Sequence, residues 1–341
     1  MAWPSRDASR LLLAVLQACR QCRASGSATG RARTGRGAGA PVLTGILAGL
    51  AAGALWGLVF VAPRMLDMGE GGYSSLDLTA GRFVAYGAVA ALVMAASLRR
   101  RPLPTLRQAG SALGMSVLGF SAYYLLLVLA VRDAGSEVPS LVIGTIPVWI
   151  MLLGKPLGLR WRSLLPGLVL TLAGLALMTG SVQARPDAPA ADFWRGMAFV
   201  VGALLSWTAF AVLNARWLKR HPEVNATDWA NWLGVATGLS AILMWLLAGS
   251  DLQVLATRPD RSMFLLLCAG TGLGSAWLAT VFWNIASQRL SASLCGQLIV
   301  SETMFALLYS FMWDGRWPSG AQLLACVLFT AGILASIRAH R

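Results

Sequence analysis

From Val42 onward the chain is written as ten apolar runs separated by short polar stretches, near 42–62, 77–98, 110–131, 138–154, 163–181, 196–215, 229–249, 262–285, 291–313 and 319–337. Each run is close to the roughly 20 residues that a helix needs to cross about 30 Å of hydrocarbon. The runs lack the apolar–polar alternation of barrel strands, and backbone groups in lipid must be satisfied inside the segment itself. The pattern therefore predicts an all-α integral membrane protein with ten transmembrane helices.

The runs also repeat in two sets of five. GILAGLAAGALWG from Gly45 matches GMAFVVGALLSWT from Gly196, which makes Trp56 and Trp207 partners. SAY at Ser121 matches SAW at Ser275, and LTLAGLAL at Leu170 matches LFTAGILA at Leu328. The offset between copies grows only from 151 to 158 residues, so the whole five-helix unit is duplicated, over residues 43–181 and 196–338. Because five is odd, the second copy enters the membrane from the opposite side, and the expected architecture is two inverted five-helix repeats.

Charge then orients the helices. Alternate loops and termini carry 20 Lys and Arg on one side against seven on the other, so both termini are expected in the cytoplasm. The expected location is the cell membrane of a bacterium, its inner membrane, crossed many times. Residues 1–40 differ from the rest, with seven Arg against one Asp and much Gly, Ala and Ser; they read as a disordered basic tail.

Composition agrees and removes other classes. With 57% hydrophobic and 12% charged residues and a mean hydropathy of +0.64, the chain lies outside the range of soluble domains, which are about a quarter charged. Its net charge of +14 sits between apolar runs rather than on a basic patch, so nucleic acid is not an expected partner; the lipid bilayer is. Of five cysteines, Cys19 and Cys22 form a lone CxxC without a second ligand pair, and Cys268, Cys295 and Cys326 fall in apolar runs as small hydrophobes. No metal site and no cofactor are expected.

Several motifs in order resemble a known family: LWGLVFVAPR (Leu55 to Arg64) in the first run, LTAGRF with Arg82 in the second, GTIPVWIMLLG with Pro147 in the fourth, and the AGLAL and AGILA endings. Over about residues 43–338 the chain is similar to the EamA type of the drug/metabolite transporter superfamily. The resemblance implies a cofactor-free exporter or exchanger of amino acids or other small metabolites. The acidic residue usual after the fourth helix is absent near GKPLGLRW, although Asp314 stands in the matching place of the second copy, and Thr303 replaces Pro147 there.

The polar residues inside apolar runs are the candidate substrate-binding or coupling positions. Glu302 lies about eleven residues from either end of its run, near the bilayer midplane. It is either a hydrogen-bonded structural acid or a group that cycles a coupling proton or attracts a substrate ammonium. Arg82 lies about five residues inside its helix and either pairs within the protein or binds a substrate carboxylate. Its depth differs from that of Glu302 by about 8 Å, so direct pairing is not expected. Trp277, Thr280 and Asn284, and Trp207 with Asn214, form mixed aromatic and polar stripes, as Gln297 and Ser301 form a polar one; Trp56 joins them as the partner of Trp207. Pro147 removes a backbone hydrogen bond in mid-helix, so it either merely kinks the chain or acts as a hinge or leaves a carbonyl free to line a cavity. Gly45, Gly49, Gly53 and Gly57 fall four apart on a face suited to close packing.

A secondary transporter of a small amino acid, amphipathic or cationic compound leads these readings. Alternatives are a phosphate-linked transporter of the same superfamily, which near-absence of Lys argues against, and an intramembrane enzyme, which the placement of His221 and His340 outside the runs argues against. The sequence leaves open whether the chain acts as a monomer or a homodimer.

Overall fold

The computed structural model describes residues 39–66, 72–101, 103–134, 137–156, 158–179, 190–258, 260–315 and 317–340. The basic tail, Asp314's side chain and the loop around Gln183 and Arg185 lie outside what is described. Among the described residues the regular structure is helical. Helix α1 (Gly39–Gly57) runs into 3-10 turns at Leu58–Phe60 and Ala62–Met65. It is followed by α2 (Ser75–Ser97), α3 (Leu106–Ala134) and α4 in two pieces (Glu137–Gly144 and Ile146–Leu153). Then come α5 (Trp161–Thr179), α6 (Ala190–Arg220), α7 (Ala226–Ala248), α8 (Arg261–Arg289), α9 (Ala292–Asp314) and α10 (Gly320–Ala339), with a short helix Leu252–Thr257 between α7 and α8.

Among the described residues, eight helices, against the ten expected, are long and apolar enough to cross a membrane. The fourth and fifth runs give shorter apolar helices, Val142–Leu153 and Trp161–Leu177. At 1.5 Å per residue the first of these covers only about 18 Å. The break in α4 falls at Thr145, whose hydroxyl donates to the Val142 carbonyl at 2.6 Å. Pro147 then stands in the first turn of the second piece, where its missing N–H removes no helical bond.

Helix starts are set by side-chain caps. Ser74 and Asp77 close a capping box on α2, as do Thr105 with Gln108 on α3 and Ser319 with Gln322 on α10, while Asn225 caps α7 through the Asp228 N–H. Each cap contributes about 1 kcal/mol. Helices α3 and α8 each contain a π-helical stretch, Val117–Ser121 and Gly272–Leu278, which places one extra residue in the turn.

Small residues set the helix contacts. Helices α2 and α7 run antiparallel, and a Cβ on Gly87 would lie 2.7 Å from the Gly238 Cα. At one end of this pair the Ser250 N–H and hydroxyl donate to Asp77 at 2.9 and 2.7 Å; at the other, Arg101 pairs with Asp228 at 2.7 Å. Helices α5 and α10 are also antiparallel, with Gly174 against Phe329 and Gly332 against Thr171. Helices α4 and α9 meet at Ile150 and Gly296. The glycine face of α1 packs on α9, with Gly45 against Leu290, Gly49 against Leu298, Gly53 against Ser301 and Gly57 against Phe305. The outer surface is apolar: Leu92, Leu246, Leu247 and Leu266 are each more than 60% exposed, which suits a face in contact with lipid.

Candidate functional site

The close approach of α1 to α9 fixes two side chains. A Cβ on Gly53 would meet the Glu302 backbone nitrogen at 3.1 Å, so the Glu302 backbone packs on α1 at Gly53, whose chain neighbour three residues on is Trp56. Trp56 meets Trp207 of α6 edge-on at 6.1 Å between centroids and Trp283 of α8 at 5.4 Å; Trp207 and Trp283 are 6.2 Å apart. Tyr123 of α3 joins at 6.4 Å from Trp207 and touches Tyr124 at 4.9 Å. Four helices thus present an aromatic cluster at the middle of the molecule. Aromatic faces attract cations, at about 0.5–2 kcal/mol each. The Trp283 indole is 2% exposed, and its N–H has no acceptor among the described residues.

Glu302 is half-buried and, among the described residues, has no hydrogen-bond or ion-pair partner. Arg82 is the charge that acts on it electrostatically, and Tyr123 feels both. The two are not an ion pair, in line with their expected difference in depth. Arg82 is 5% exposed and packs over the rings of Phe83 and Tyr124 at 4.7 and 4.9 Å. It borders a cavity of about 80 Å³ with Ser75, Thr79, Tyr124 and Thr271. A larger apolar cavity of about 530 Å³ adjoins it through Ala62 and Thr271 and reaches Tyr309 and Trp313 of α9.

The remaining candidates lie elsewhere. Gln297 donates to the Thr171 hydroxyl at 2.9 Å and accepts from Ser336 at 3.2 Å, in the core between α5, α9 and α10. Ser301 donates to the Leu298 carbonyl at 2.7 Å and fills the space beside Gly53. Asn214 accepts from the Trp229 indole at 2.6 Å and donates to Asn284 at 3.2 Å, and Asn284 donates to the Ala226 carbonyl. Trp277 donates to Asn231 at 2.7 Å, and Thr280 lies against the Tyr86 hydroxyl. These residues knit α6, α7 and α8 together. Pro147 is buried in the first turn of its half-helix. Of the sequence candidates, the structure brings Trp56 and Trp207 together, packs the Glu302 backbone on Gly53 of α1, and sets Arg82 against Tyr124. Tyr123, Tyr124 and Trp283 were not singled out from sequence; Tyr123 was visible as the counterpart of Trp277 in the SAY and SAW match.

A family model, described as EamA-like transporter family, matches residues 43–180. That segment, α1 to α5, is thus similar to the EamA-like transporters. The eight apolar helices among the described residues fit a multi-pass membrane protein, and the match points to a membrane transporter. Beyond the matched segment, similarity extends over most of the chain. Inner membrane protein YtfF of Escherichia coli (strain K12) is 29% identical over 313 residues, 87% of this chain and 96% of the relative. The uncharacterized transporter YdfC of Bacillus subtilis (strain 168) is 24% identical over 291 residues, 82% and 86% of the two chains. A solved crystal structure at 22% identity matches with a TM-score of 0.69 over 88% of this chain and 98% of its own, a likeness of fold alone.

Proposed function

We propose that the chain is a secondary transporter that moves a small organic metabolite bearing a cationic group by alternating access between two inverted five-helix repeats, residues 43–181 and 196–338. The observation that carries the reading is Glu302: an acid from the second repeat, without a hydrogen-bond or ion-pair partner among the described residues, has its backbone packed on Gly53 of α1 from the first repeat and acts electrostatically on Tyr123. A carboxylate in that setting is costly unless a proton or a cation neutralises it. Either neutraliser couples the site to what crosses the membrane.

The packing supports the repeat. Helices α2 and α7, α4 and α9, and α5 and α10 are each a helix and its own counterpart, packed antiparallel. Gly87 and Gly238 are equivalent positions, 151 residues apart, and they touch each other. Gly174 against Phe329 and Thr171 against Gly332 are images of one contact under the offset of 158. Mutual contacts of this kind arise across a two-fold axis in the membrane plane. The π-helical stretches of α3 and α8 fall at matching places, around Ser121 and Ser275.

Both cavities lie toward the end where α1 and α9 finish, while the opposite end is filled by the stacked rings of Trp217, Trp229 and His221. With both termini in the cytoplasm, this arrangement corresponds to a state open to the outside. The test is transport by the purified chain in vesicles of known orientation, using a panel of amino acids and cationic metabolites. Gradient-dependent movement of a panel member, lost in Trp56→Ala, is expected. Movement unaffected by Trp56→Ala and Glu302→Gln would place the substrate path elsewhere.

A further inference from the structure

The apolar cavity of about 530 Å³ is walled by three stretches of chain. Leu58, Val61, Ala62 and Met65 line it where α1 passes into 3-10 turns. Leu267, Gly270 and Thr271 of α8, and Tyr309, Met312 and Trp313 of α9, each fall at i, i+3 and i+4, so each helix turns one face to it. The rim lies in the outer apolar surface, with Leu266, Met312 and Trp313 each more than half exposed. The floor is buried, with Val61 and Ala62 each 4% exposed. A crevice of this shape opens sideways, toward whatever surrounds the helices. Around helices of membrane-crossing length and apolarity, that is lipid.

Depth and size define the occupant. Leu266 and Ser275, at the two ends of the α8 wall, are nine residues apart, which is about 13 Å along a helix. One leaflet of hydrocarbon is about 15 Å thick. At about 30 Å³ for a group the size of a water or a methylene, the volume holds roughly 17 of them, the content of one acyl chain. Trp313 and the exposed Trp317 stand at the mouth, at the level where tryptophan rings meet lipid head groups. Water fills apolar space poorly, and an empty space forfeits the contacts of its lining. The Thr271 hydroxyl already donates to the Leu267 carbonyl at 2.5 Å. A Cβ built on Gly270 meets nothing within 4 Å, so the flank of α8 is open on this side.

We propose that this crevice is a binding site for one acyl chain of a bilayer phospholipid, which enters from the side between Leu266 of α8 and Met312 of α9 and lies along the 3-10 turns that follow α1. The head group stays at the level of Trp313 and Trp317. The chain reaches inward to Ala62 and Thr271, the two residues that the crevice shares with the Arg82 cavity. The site needs only that the helices stand in a bilayer, and it goes beyond the transporter reading without depending on it.

The experiment places the purified full-length chain in phospholipid nanodiscs that contain a phospholipid with a diazirine midway along one acyl chain. After illumination, mass spectrometry locates the insertion sites. Leu246 and Leu247, on the lipid-facing surface, report the surrounding bilayer. In the wild type, insertion is expected at Val61 and Ala62 as well, buried positions that a chain reaches only from inside the crevice. Gly270→Leu sends a side chain into the crevice and replaces glycine by a better helix former. It is expected to lose insertion at Val61 and Ala62 and to keep it at Leu246 and Leu247. Gly110→Leu, in α3 and outside the crevice lining, also meets nothing within 4 Å and is expected to keep both. Insertion at Leu246 and Leu247 with none at Val61 and Ala62 in the wild type overturns the site. So does insertion at Val61 and Ala62 that persists undiminished in a folded Gly270→Leu; if that variant does not fold, the wild-type comparison decides. Transport plays no part in the readout, so either result leaves the transporter reading to its own test.

Discussion

Gln297 makes hydrogen bonds to two other helices, and its role follows from that. Its amide is fully buried between Thr171 and Ser336, so Gln297→Leu strands two hydroxyls in the core. The expected cost is about 1–3 kcal/mol of stability. It should appear as a lower Tm with substrate preference unchanged; a changed preference at normal Tm would put Gln297 in the substrate path. Asn214 and Asn284 are of the same kind. Sequence marked all of these residues because each is polar inside an apolar run, which is correct as far as cost is concerned. It could not separate those satisfied by partners from those left open, because the partners lie far along the chain: Thr171 is 126 residues from Gln297. Glu302 and Arg82 stand out in the sequence as charges inside apolar runs, but which partners they have is told only by their surroundings. Trp283 escaped notice because it lies beside, not on, the stripe of Trp277, Thr280 and Asn284.

Helices were the most legible level, since a run of about 20 apolar residues in a membrane has one solution for its backbone. Their starts were also written in the chain, as Ser74 to Asp77, Thr105 to Gln108 and Ser319 to Gln322, three residues apart in each case. The π-helical stretches were not legible, because one added residue in a turn barely changes an apolar pattern. The break in α4 was anticipated from Pro147 but falls two residues earlier, at Thr145, where proline is accommodated rather than disruptive. Packing between helices rests on glycines, which makes a direct prediction. Gly87→Ala puts a methyl against the Gly238 backbone at 2.7 Å, and overpacking of this kind costs about 1–3 kcal/mol. Thermal unfolding of Gly87→Ala should show that loss, and Gly110→Ala, where no atom lies within 4 Å, should not. Equal behaviour of the two variants would mean that α2 and α7 do not meet at these glycines.

At the scale of the molecule, the proposed duplication would make the packed pairs α2 with α7, α4 with α9 and α5 with α10 equivalents of one another. A reporter fused after Arg220 should lie in the cytoplasm and one fused after Ser250 outside it. Both on one side would remove the inverted arrangement. The central claim, that an acid between the two repeats is neutralised in turn by what is carried, is tested most directly by Glu302→Gln in proteoliposomes with and without an imposed pH gradient. Gln keeps the size and hydrogen bonding of a protonated Glu but cannot titrate. The account predicts that gradient-driven accumulation falls about tenfold or more, the scale of one lost charge-assisted contact, while substrate exchange without a gradient persists. Full pH-driven accumulation by the Gln variant would contradict it.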